Sequence, residues 1–160
     1  MTKKLNNLTC RMIARGDLKE VVALHTDAFF NADEEEIARR VKGKKERAMV
    51  CVSRSGRIEG YVFFDCETVD KERTMYIANV GVRTKSRNKG VCGAMLPWLV
   101  KRLARYKCNS ANLIVSSGNN FAIRCYESAG FCMSRKSGMS GMSGMKYRPK
   151  EKSKKKSKAA

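Results

Sequence analysis

The first third of the chain alternates between polar and apolar positions in a way that predicts one strand followed by two helices. Residues 8–14 are predicted to form a strand, and Asp17 occupies an N-cap position before a helical run over residues 18–30. A second helix is predicted to begin near Asp33 and to run through Val41. Its first turn is acidic and its end is basic, the arrangement that a helix dipole favours.

Three further strands are predicted over residues 48–53, 60–69 and 74–82. A turn signal at residues 54–57, which includes a glycine, separates the first two of them. Consecutive strands with short connections usually pair with each other, so an antiparallel meander is the natural interpretation.

A polar segment with two glycines leads from the meander into a long amphipathic helix. The segment covers residues 83–93, and the helix is predicted over residues 94–106. Pro97 is expected in the first turn of that helix, where its missing N–H costs nothing. Because residues 111–115 form a short apolar strand, the unit over residues 74–115 is predicted to be a βαβ crossover with two parallel neighbouring strands.

The last structured part of the chain is predicted to be a helix and a final strand or hairpin. Asn119 can cap a helix over residues 121–129, and Gly130 ends it as a left-handed glycine would. A strand or hairpin is expected from Phe131 onward. Residues 137–145 repeat Ser-Gly-Met three times, and these glycines weaken the strand prediction.

The formal charge of +19 comes from 34 Lys and Arg residues against 15 Asp and Glu residues. Such a charge favours encounters with polyanions, including nucleic acid, the ribosome and phosphate-rich ligands. Beyond Tyr147 the chain is rich in Lys and Ser and too polar to pack, so it is predicted to be disordered. We expect one domain over residues 1–147 and a basic tail over residues 148–160.

Cysteine and hydrophobic patterns limit the class of protein further. The seven cysteines are scattered without Cys-x-x-Cys spacing and there is one histidine, so no metal site is predicted. Most of the cysteines alternate with apolar residues, as buried thiols do in a reducing compartment. No apolar run approaches the roughly 20 residues that cross a bilayer, and no secretory signal is evident. We expect a soluble cytoplasmic protein without membrane contact.

The most informative segment runs from Arg87 to Gly93, with the sequence Arg-Asn-Lys-Gly-Val-Cys-Gly. It leaves a predicted strand and opens a helix, where unpaired backbone N–H groups and the helix dipole bind phosphate oxygens. Gly90 and Gly93 allow close approach of the main chain, and Arg87 and Lys89 add charge. A diphosphate is the expected ligand, although glycines alone also shape ordinary tight turns. The segment lacks a P-loop ending and follows a meander, which argues against nucleotide hydrolysis and Rossmann-type binding.

These residues resemble the GNAT superfamily of acyl-CoA-dependent N-acyltransferases. The family's pyrophosphate loop, Arg/Gln-x-x-Gly-x-Gly/Ala, is similar to Arg87-x-x-Gly90-x-Cys92, with cysteine at the position where Gly or Ala is usual. Downstream, residues 119–131 resemble the family's segment Asn-x-x-Ala-x-x-x-Tyr-x-x-x-Gly-Phe. The resemblance is specific over residues 77–131.

The resemblance implies an α/β fold with a mixed six- or seven-stranded sheet flanked by about four helices, and it implies acetyl-CoA as the acyl donor. In this family the donor lies between the splayed fourth and fifth strands, and its pyrophosphate rests on the loop. The implied donor-binding residues are Val80, Gly81, Val82, Arg87, Asn88, Lys89, Gly90, Val91, Cys92, Gly93 and Asn119.

The resemblance also assigns chemistry to Tyr126, which corresponds to the tyrosine that often protonates the leaving thiolate. The amine is expected to attack the thioester directly, so that Cys92 and Cys125 are packing residues. The base that deprotonates the amine is not evident, because the aligned positions Tyr76 and Ile114 are not carboxylates. An ordered water is one candidate for that role.

Two acids on the neighbouring strand, Asp65 and Glu67, are the other candidates for the base, although strand surface charge is the commoner meaning of such acids. Glutamates 34–36 border the acceptor site in the family's arrangement and would attract a cationic amine, but a favourable helix first turn is the simpler interpretation. His25 is interpreted as a packed or half-exposed residue rather than a catalyst.

The acceptor is expected to be a protein amine, at an N-terminus or a lysine, or a small amine. Two alternatives remain: a nucleic-acid- or ribosome-associated protein without turnover, and a CoA-binding regulator. The first predicts salt-dependent polyanion binding without CoA. The basic tail permits nonspecific nucleic-acid or ribosome contact, and either a monomer or a homodimer is compatible with the sequence.

Overall fold

The computed structural model describes residues 5–29, 33–43, 47–134 and 140–150, which form a seven-stranded sheet and four α-helices. The strands are β1 (Thr9–Met12), β2 (Arg47–Val52), β3 (Ile58–Val69), β4 (Glu72–Val82), β5 (Ser110–Ser116), β6 (Cys132–Met133) and β7 (Met142–Tyr147). The helices are α1 (Leu18–Ala28), α2 (Glu34–Lys42), α3 (Val91–Val100) and α4 (Asn120–Ser128). The expected mixed sheet with about four helices is confirmed.

The sheet has the strand order β1-β2-β3-β4-β5-β7-β6. The pair β4–β5 is parallel and its neighbours are antiparallel, as the predicted meander and the βαβ crossover require. Strand β7 inserts between β5 and β6, so the chain returns to the sheet interior near its end. The parallel pair is the only point in the described sheet where a helical crossover joins neighbouring strands.

Each face of the sheet is covered by a different pair of helices. Alternate residues of β2 and β3, such as Met49 and Phe64, pack with α3, α4 and the strands of the second half. The residues between them, such as Val50 and Phe63, pack under α1 and α2 with Val21 and other apolar side chains. The sheet therefore divides the protein into two layers with separate apolar cores.

Strands β4 and β5 diverge partway along their length. Ladder pairing between them covers Thr74 to Ile77 and stops there. On the other edge of β4, Phe63 faces Asn79 while Phe64 faces Ile77, so Ala78 is an extra residue that bulges the strand. The bulge turns β4 away from β5 and opens a gap beside its last residues.

Two local expectations about helix boundaries are corrected. Helix α3 begins at Val91, so Pro97 lies inside the helix and not in its first turn. Proline removes the hydrogen bond to the carbonyl of Gly93, an exposed residue whose carbonyl water can reach. The helix ends at Val100 and a 3₁₀ turn at Ala104–Tyr106 replaces its predicted last part.

Asp17 does not cap α1 with its side chain. Its carboxylate accepts a hydrogen bond of 2.7 Å from the amide of Ala14 and pairs with Arg11 at 2.6 Å. It therefore closes the 3₁₀ turn at Arg15–Asp17 that precedes the helix. Helix α2 begins after Asp33, near where it was predicted, and it does carry a side-chain cap, because Asp33 accepts from the amides of Glu35 and Glu36.

The end of the domain is more regular than its glycines predict. Strand β7 pairs with β5 from Ser116↔Met142 to Ala111↔Tyr147, and the buried Gly144 lies opposite Ile114. Packing of Met145 in the core outweighs the weak strand propensity of glycine. Residues 135–139, which include the start of the repeat, and residues 151–160 of the predicted tail lie outside the described residues.

Candidate active site

The gap between β4 and β5 presents a strand edge that the sheet does not use. Val80, Gly81 and Val82 pair with β3 on one side, but the ladder with β5 has already ended at Ile77. Val80 and Val82 are half-buried, and Gly81 is buried under the ring of Tyr61. An extended ligand with amide groups can pair with this edge as an additional strand would.

The loop after β4 holds its backbone in conformations that expose amides. Asn88 and Gly90 have left-handed backbones, with φ of 60° and 88°. Within the described residues, the amides from Asn88 to Gly93 donate no hydrogen bond, and α3 begins at Val91. A row of free N–H groups at a helix start is an anion-binding concavity. The predicted loop residues therefore present a set of free backbone amides of the kind that binds phosphate oxygens.

The side chain of Arg87 is exposed and that of Lys89 is half-buried, and both residues make one hydrogen bond to another segment. The guanidinium of Arg87 donates to the carbonyl of Val82 at 3.3 Å, which fixes the loop against the end of β4. The amide of Leu5 donates to the carbonyl of Lys89 at 2.9 Å. The segment before β1 therefore contacts the loop at Lys89.

A buried carboxylate, Glu59, makes hydrogen bonds to the turn that precedes the loop. Glu59 is fully buried and accepts hydrogen bonds from the hydroxyl of Ser86 and from Arg57, the latter at 2.9 Å. Burial raises the pKa of Glu59, but these hydrogen bonds outweigh it and hold the pKa below its ordinary value. Arg83 links this carboxylate at 3.8 Å to Glu20 of α1 at 2.7 Å. The turn that precedes the loop is thus bonded both to strand β3, through Glu59, and to helix α1, through Arg83 and Glu20.

A disulfide joins the loop to α4 and corrects one expectation. Cys92 and Cys125, predicted to be packing residues, are bonded to each other with their α-carbons 6.4 Å apart. Cys92 occupies the position where the family usually has Gly or Ala, and the bond places the first turn of α3 against α4. The prediction of a reducing compartment depended on buried, reduced thiols, and this bond means that two of the seven cysteines are not reduced thiols. No sequence pattern marks this pair, because the two residues lie 33 positions apart.

Tyr126 follows Cys125 directly and is buried in the core that α3 and α4 share. Burial raises its pKa to about 12, so its phenol is protonated at neutral pH. Its hydroxyl has no hydrogen-bond partner within the described residues. Such a group is available to donate a proton or a hydrogen bond.

Asn119 is the N-cap of α4, as predicted. Its side-chain oxygen accepts a hydrogen bond of 3.2 Å from the amide of Ala122. The residue is exposed, and its side-chain nitrogen remains open to a ligand. Gly130 ends the helix with φ of 97°, which confirms the predicted left-handed glycine.

On the opposite layer, a cleft of about 250 Å³ lies between α1, α2 and the sheet. It is lined by His25, Phe29, Asp33, Glu36, Ile37, Arg40, Phe63 and Asn79. Asn79 is the residue after the bulge in β4, so the cleft reaches the strand that opens the donor gap. The cleft and the gap therefore adjoin the same part of β4.

The charged residues of the cleft are mostly paired. Arg40 bonds to Asp65 at 3.2 Å and to Glu36 at 3.4 Å, and its guanidinium lies 5.4 Å from the ring centre of Phe63. Asp33 uses one carboxylate oxygen to cap α2. The exposed glutamates 34–36 form the first turn of α2, as the simpler interpretation had it, and Glu36 also lines the cleft.

The candidate bases from sequence are differently placed. Asp65 is occupied by Arg40, while Glu67 is exposed farther along β3 without a partner in the described residues. Tyr76 lies where β4 pairs with β5, and the exposed Ile114 lies where β5 pairs with β7. None of these four side chains lines the cleft.

Sequence reasoning missed the most organised polar pair of the cleft. His25 Nδ1 lies 2.6 Å from the hydroxyl of Tyr61, and the imidazole packs between the rings of Phe29 and Phe63. Burial lowers the pKa of His25. The interpretation of His25 as half-exposed and packed was correct, but its link to Tyr61 has no sequence motif. The spacing of His25 and Phe29 on one helix face was the available signal.

Two absences hold for the part of the chain that the structure describes. No group of three or more His, Cys, Asp or Glu side chains is placed to hold a metal ion. No helix within the same residues is long and apolar enough to cross a membrane.

The geometry agrees with comparisons to known proteins. The sequence profile of the Acetyltransferase (GNAT) family matches residues 18–131. No curated protein matches the sequence. The fold is similar to that of Arabidopsis thaliana NAA60 in complex with a bisubstrate analogue, with a TM-score of 0.75 and 22% identity over 89% of this chain and 98% of that chain.

Two other solved structures have the same fold with different acceptors in their names. A putative phosphinothricin N-acetyltransferase has a TM-score of 0.72 and 19% identity, over 91% of this chain and 100% of that chain. A mutant of the Vibrio cholerae spermidine N-acetyltransferase SpeG has a TM-score of 0.71 and 18% identity, over 88% of this chain and 93% of that chain. Since the family profile covers most of the chain and the splayed sheet carries its loop, the protein belongs to the GNAT family of acetyltransferases.

Proposed function

We propose that the protein transfers the acetyl group of acetyl-CoA to a primary amine, either of a protein or of a small molecule. The observation that carries this proposal is the row of free amides from Asn88 to Gly93, placed beside the unpaired edge of β4. A diphosphate and an extended amide-containing arm are adjacent in coenzyme A. The related NAA60 has been solved in complex with acetyl-CoA, which supports the same donor here.

In the proposed reaction, residues 80–82 bind the extended arm of the donor and polarise the thioester carbonyl through strand N–H groups. Residues 87–93 bind the diphosphate, and Asn119 contacts the donor from α4. The amine nitrogen attacks the carbonyl carbon, the carbon–sulfur bond breaks, and the sulfur leaves as a thiolate. Tyr126 donates a proton to that thiolate, and an ordered water takes the proton that the amine loses.

The residues fit this assignment at three points. The phenol of Tyr126 stays protonated at neutral pH, because burial raises its pKa to about 12. The acceptor cleft reaches Asn79 in β4, so an amine bound there approaches the donor gap. Arg87, Lys89 and the net charge of +19 favour encounter with a polyphosphate donor.

The test begins with thermal unfolding of the full chain with and without acetyl-CoA. A ligand that binds only the native state must raise the unfolding temperature. Release of free thiol from acetyl-CoA is then followed with three probes: peptides with free α-amines, N-blocked lysine peptides, and spermidine. Stabilisation together with thiol release on one of them supports the proposal.

Two other results would separate the alternatives. Stabilisation without thiol release on any probe favours a CoA-binding regulator. No stabilisation at saturating acetyl-CoA, with salt-dependent binding of RNA, favours a nucleic-acid-binding protein.

A chain ending at Tyr147 serves as the matched control for the proposed tail over residues 148–160. We expect this truncated chain to keep its acetyl-CoA response, since the loop and the gap lie within the domain. Arg148 pairs with Glu72 at 3.0 Å, so the truncation also removes one exposed ion pair of small effect.

A further inference from the structure

The acceptor cleft contains one polar contact that the proposed reaction does not use. His25 is the single histidine of the chain, and its Nδ1 lies 2.6 Å from the hydroxyl of Tyr61. Tyr61 is fully buried, and its ring lies against the backbone of Gly81 on the donor-side strand. The pair therefore connects the wall of the cleft with the strand that borders the donor.

The direction of this hydrogen bond follows from what surrounds the hydroxyl. Within the described residues His25 is the one hydrogen-bond partner of the Tyr61 hydroxyl. If the phenol accepted from Nδ1–H, its own proton would be buried without an acceptor, which is unfavourable. Burial also raises the pKa of Tyr61, so the phenol keeps its proton. The phenol is therefore the donor and Nδ1 is the acceptor.

A neutral imidazole carries one proton, so accepting at Nδ1 leaves that proton on Nε2. Burial lowers the pKa of His25, against an opposing effect of Glu36 and with a further lowering by Arg40. The ring is also held in place by Phe29 and Phe63, with ring centres 4.9 and 5.5 Å away. Nε2–H is thus a fixed, uncharged donor, and it has no partner within the described residues.

The other polar groups of the cleft differ from His25 in charge and in their ability to donate or accept hydrogen bonds. Asp33 and Glu36 are carboxylates, which accept hydrogen bonds and attract cations. Arg40 is occupied by Asp65 and Glu36. Asn79, at the bulge, offers a donor and an acceptor together. His25 therefore provides the wall of the cleft with a neutral donor that matches a carbonyl oxygen.

We propose that His25 is a specificity-determining residue: its Nε2–H, oriented by Tyr61, donates to the carbonyl oxygen beside the acceptor amine and so selects the amino terminus of a peptide. In a peptide the α-amine and this carbonyl are attached to the same carbon atom. A lysine side chain or a polyamine has no carbonyl near its amine. The inference rests on the proposed acetyl transfer, and it narrows the acceptor to one class.

The rest of the cleft fits such a peptide. Phe29, Ile37 and Phe63 supply an apolar surface for the first side chain. Asp33 and Glu36 supply negative charge for a basic residue that follows. The probe is accordingly the peptide amide Leu-Ala-Arg-Arg, compared with an isostere in which a trans carbon–carbon double bond replaces the first amide. The isostere keeps the shape and the α-amine but lacks the carbonyl oxygen and the N–H of that amide, and the His25 variants separate the two losses because only the carbonyl oxygen can accept from Nε2–H.

The first measurement needs no turnover. Long-range ¹H–¹⁵N NMR spectra report the tautomer of an imidazole, and the single histidine makes the signals unambiguous. We expect the neutral Nε2–H form at neutral pH in the wild type. Tyr61→Phe removes the donor to Nδ1, and we expect that variant to populate both tautomers. A dominant Nδ1–H form in the wild type overturns the proposal, since Nε2 would then be an acceptor.

The second measurement is kcat/KM for the two probes. The wild type should favour the amide peptide over the isostere by roughly ten- to a hundredfold, because the isostere leaves Nε2–H unpaired. His25→Phe keeps an aromatic ring and should lose that preference, with the isostere itself little affected. His25→Gln restores an N–H donor and should recover part of the preference. Equal losses on both probes would show a structural role and overturn the inference.

The remaining outcomes keep the two proposals distinct. If the enzyme is active on lysine peptides or spermidine but not on the α-amine peptide, acetyl transfer stands and the role of His25 falls. If acetyl-CoA neither binds nor reacts, the proposed function fails, and selection of an acetyl acceptor by His25 fails with it. Binding of acetyl-CoA with an Nδ1–H histidine rejects only the role of His25.

Discussion

The two layers of this protein are stabilised by different kinds of contacts. On the layer with the proposed donor site (α3, α4 and residues 87–93), called the donor layer, the disulfide Cys92–Cys125 and the buried carboxylate of Glu59 fix the loop between β4 and α3. On the layer with the proposed acceptor cleft (α1 and α2), called the acceptor layer, aromatic packing around His25 and partly buried ion pairs of Arg40 shape the cleft. The donor side is thus fixed by a covalent bond and a buried charge, and the acceptor side by packing.

This difference follows from what each layer would bind. A donor common to a family requires the same backbone amides in the same positions, so rigid support of the loop is advantageous. Acceptors differ among relatives, whose names include spermidine and phosphinothricin. Side chains in a packed cleft can change without disturbing the sheet. Substitutions in the donor layer should therefore affect stability and donor binding together. Substitutions in the acceptor layer should instead affect which acceptor amine is used.

The largest effect is expected from breaking the disulfide. Cys125→Ser should lower the free energy of unfolding by about 3–4 kcal/mol, because the bond closes a loop over a separation of 33 residues. Urea unfolding under non-reducing conditions measures this change. Reduction of the wild type should reproduce it.

The exposed free cysteine provides the control for this variant. Cys132→Ser should leave unfolding unchanged, because Cys132 has no disulfide partner. Equal stability of Cys125→Ser and the wild type would mean that the donor layer does not depend on a covalent tie. The contrast between the two layers would then rest on the buried charge alone.

A smaller effect, on the catalytic rate constant kcat, is expected from removing the hydroxyl group of Tyr126. Tyr126→Phe should lower kcat by about a hundredfold, equivalent to about 2.7 kcal/mol, because the thiolate loses its proton donor. Stability and acetyl-CoA affinity should change little. The change is measured by thiol release with the best acceptor.

Tyr147→Phe is a matched control, since the rings of Tyr126 and Tyr147 both contact Phe131, at 6.1 and 5.6 Å. It removes a phenol from the same aromatic cluster without removing the proposed proton donor. A similar loss of kcat in both variants would assign the effect to packing and not to proton transfer.

The loop and the helix cap of the donor layer were predictable from the sequence because both are local features. The loop from Arg87 to Gly93 and the capped helix from Asn119 to Gly130 are continuous segments, and their glycines and caps define the backbone directly. Helix α3 was placed three residues too late because Pro97 was assigned to a first turn. Tertiary packing of Val91 starts the helix earlier.

The acceptor layer was not predictable in the same way. His25 and Tyr61 lie 36 residues apart, on a helix and a strand, and they meet only when α1 packs on the sheet. The two supports of the donor layer, Glu59 and the disulfide at Cys125, were unpredictable for the same reason, since they too are joined to distant partners. A single sequence carries no signal for such pairs, since neither residue type nor spacing marks them. The strand β7 was underestimated for a related reason, because its stability comes from pairing with β5.

The buried charge under the loop should contribute about 2 kcal/mol. Glu59→Gln removes the negative charge that accepts from Ser86 and Arg57 while keeping the side-chain shape, and charged hydrogen bonds of this kind are worth about 1.5–3 kcal/mol. The loss should also weaken acetyl-CoA binding, because the turn at Thr84–Ser86 precedes the loop. Glu67→Gln, on the same strand but exposed, should change neither property.

The same variant predicts a pH dependence. The pKa of Glu59 is lower in the folded protein than its ordinary value of 4.5, so its contribution is present above that value and disappears as the pH falls through the folded pKa. The stability difference between wild type and Glu59→Gln should therefore shrink on acidification. A difference that stays constant down to that range would show that the charge does not stabilise the fold.

The smallest effect on stability is expected from replacing a glycine that has a left-handed backbone. Comparing two such glycines distinguishes the effect of backbone strain from an effect on acetyl-CoA binding. Gly90 and Gly56 both have left-handed backbones, with φ of 88° and 82°, but Gly56 lies in the turn between β2 and β3, with open space around it. Alanine at either position should cost about 1 kcal/mol in urea unfolding, because a side chain disfavours this conformation. Only Gly90→Ala should also weaken acetyl-CoA binding, by about tenfold or more, since it disturbs the row of free amides. If both variants weakened binding equally, the loop would not be the donor site, and the division of the molecule into a donor layer and an acceptor layer would lose its main support.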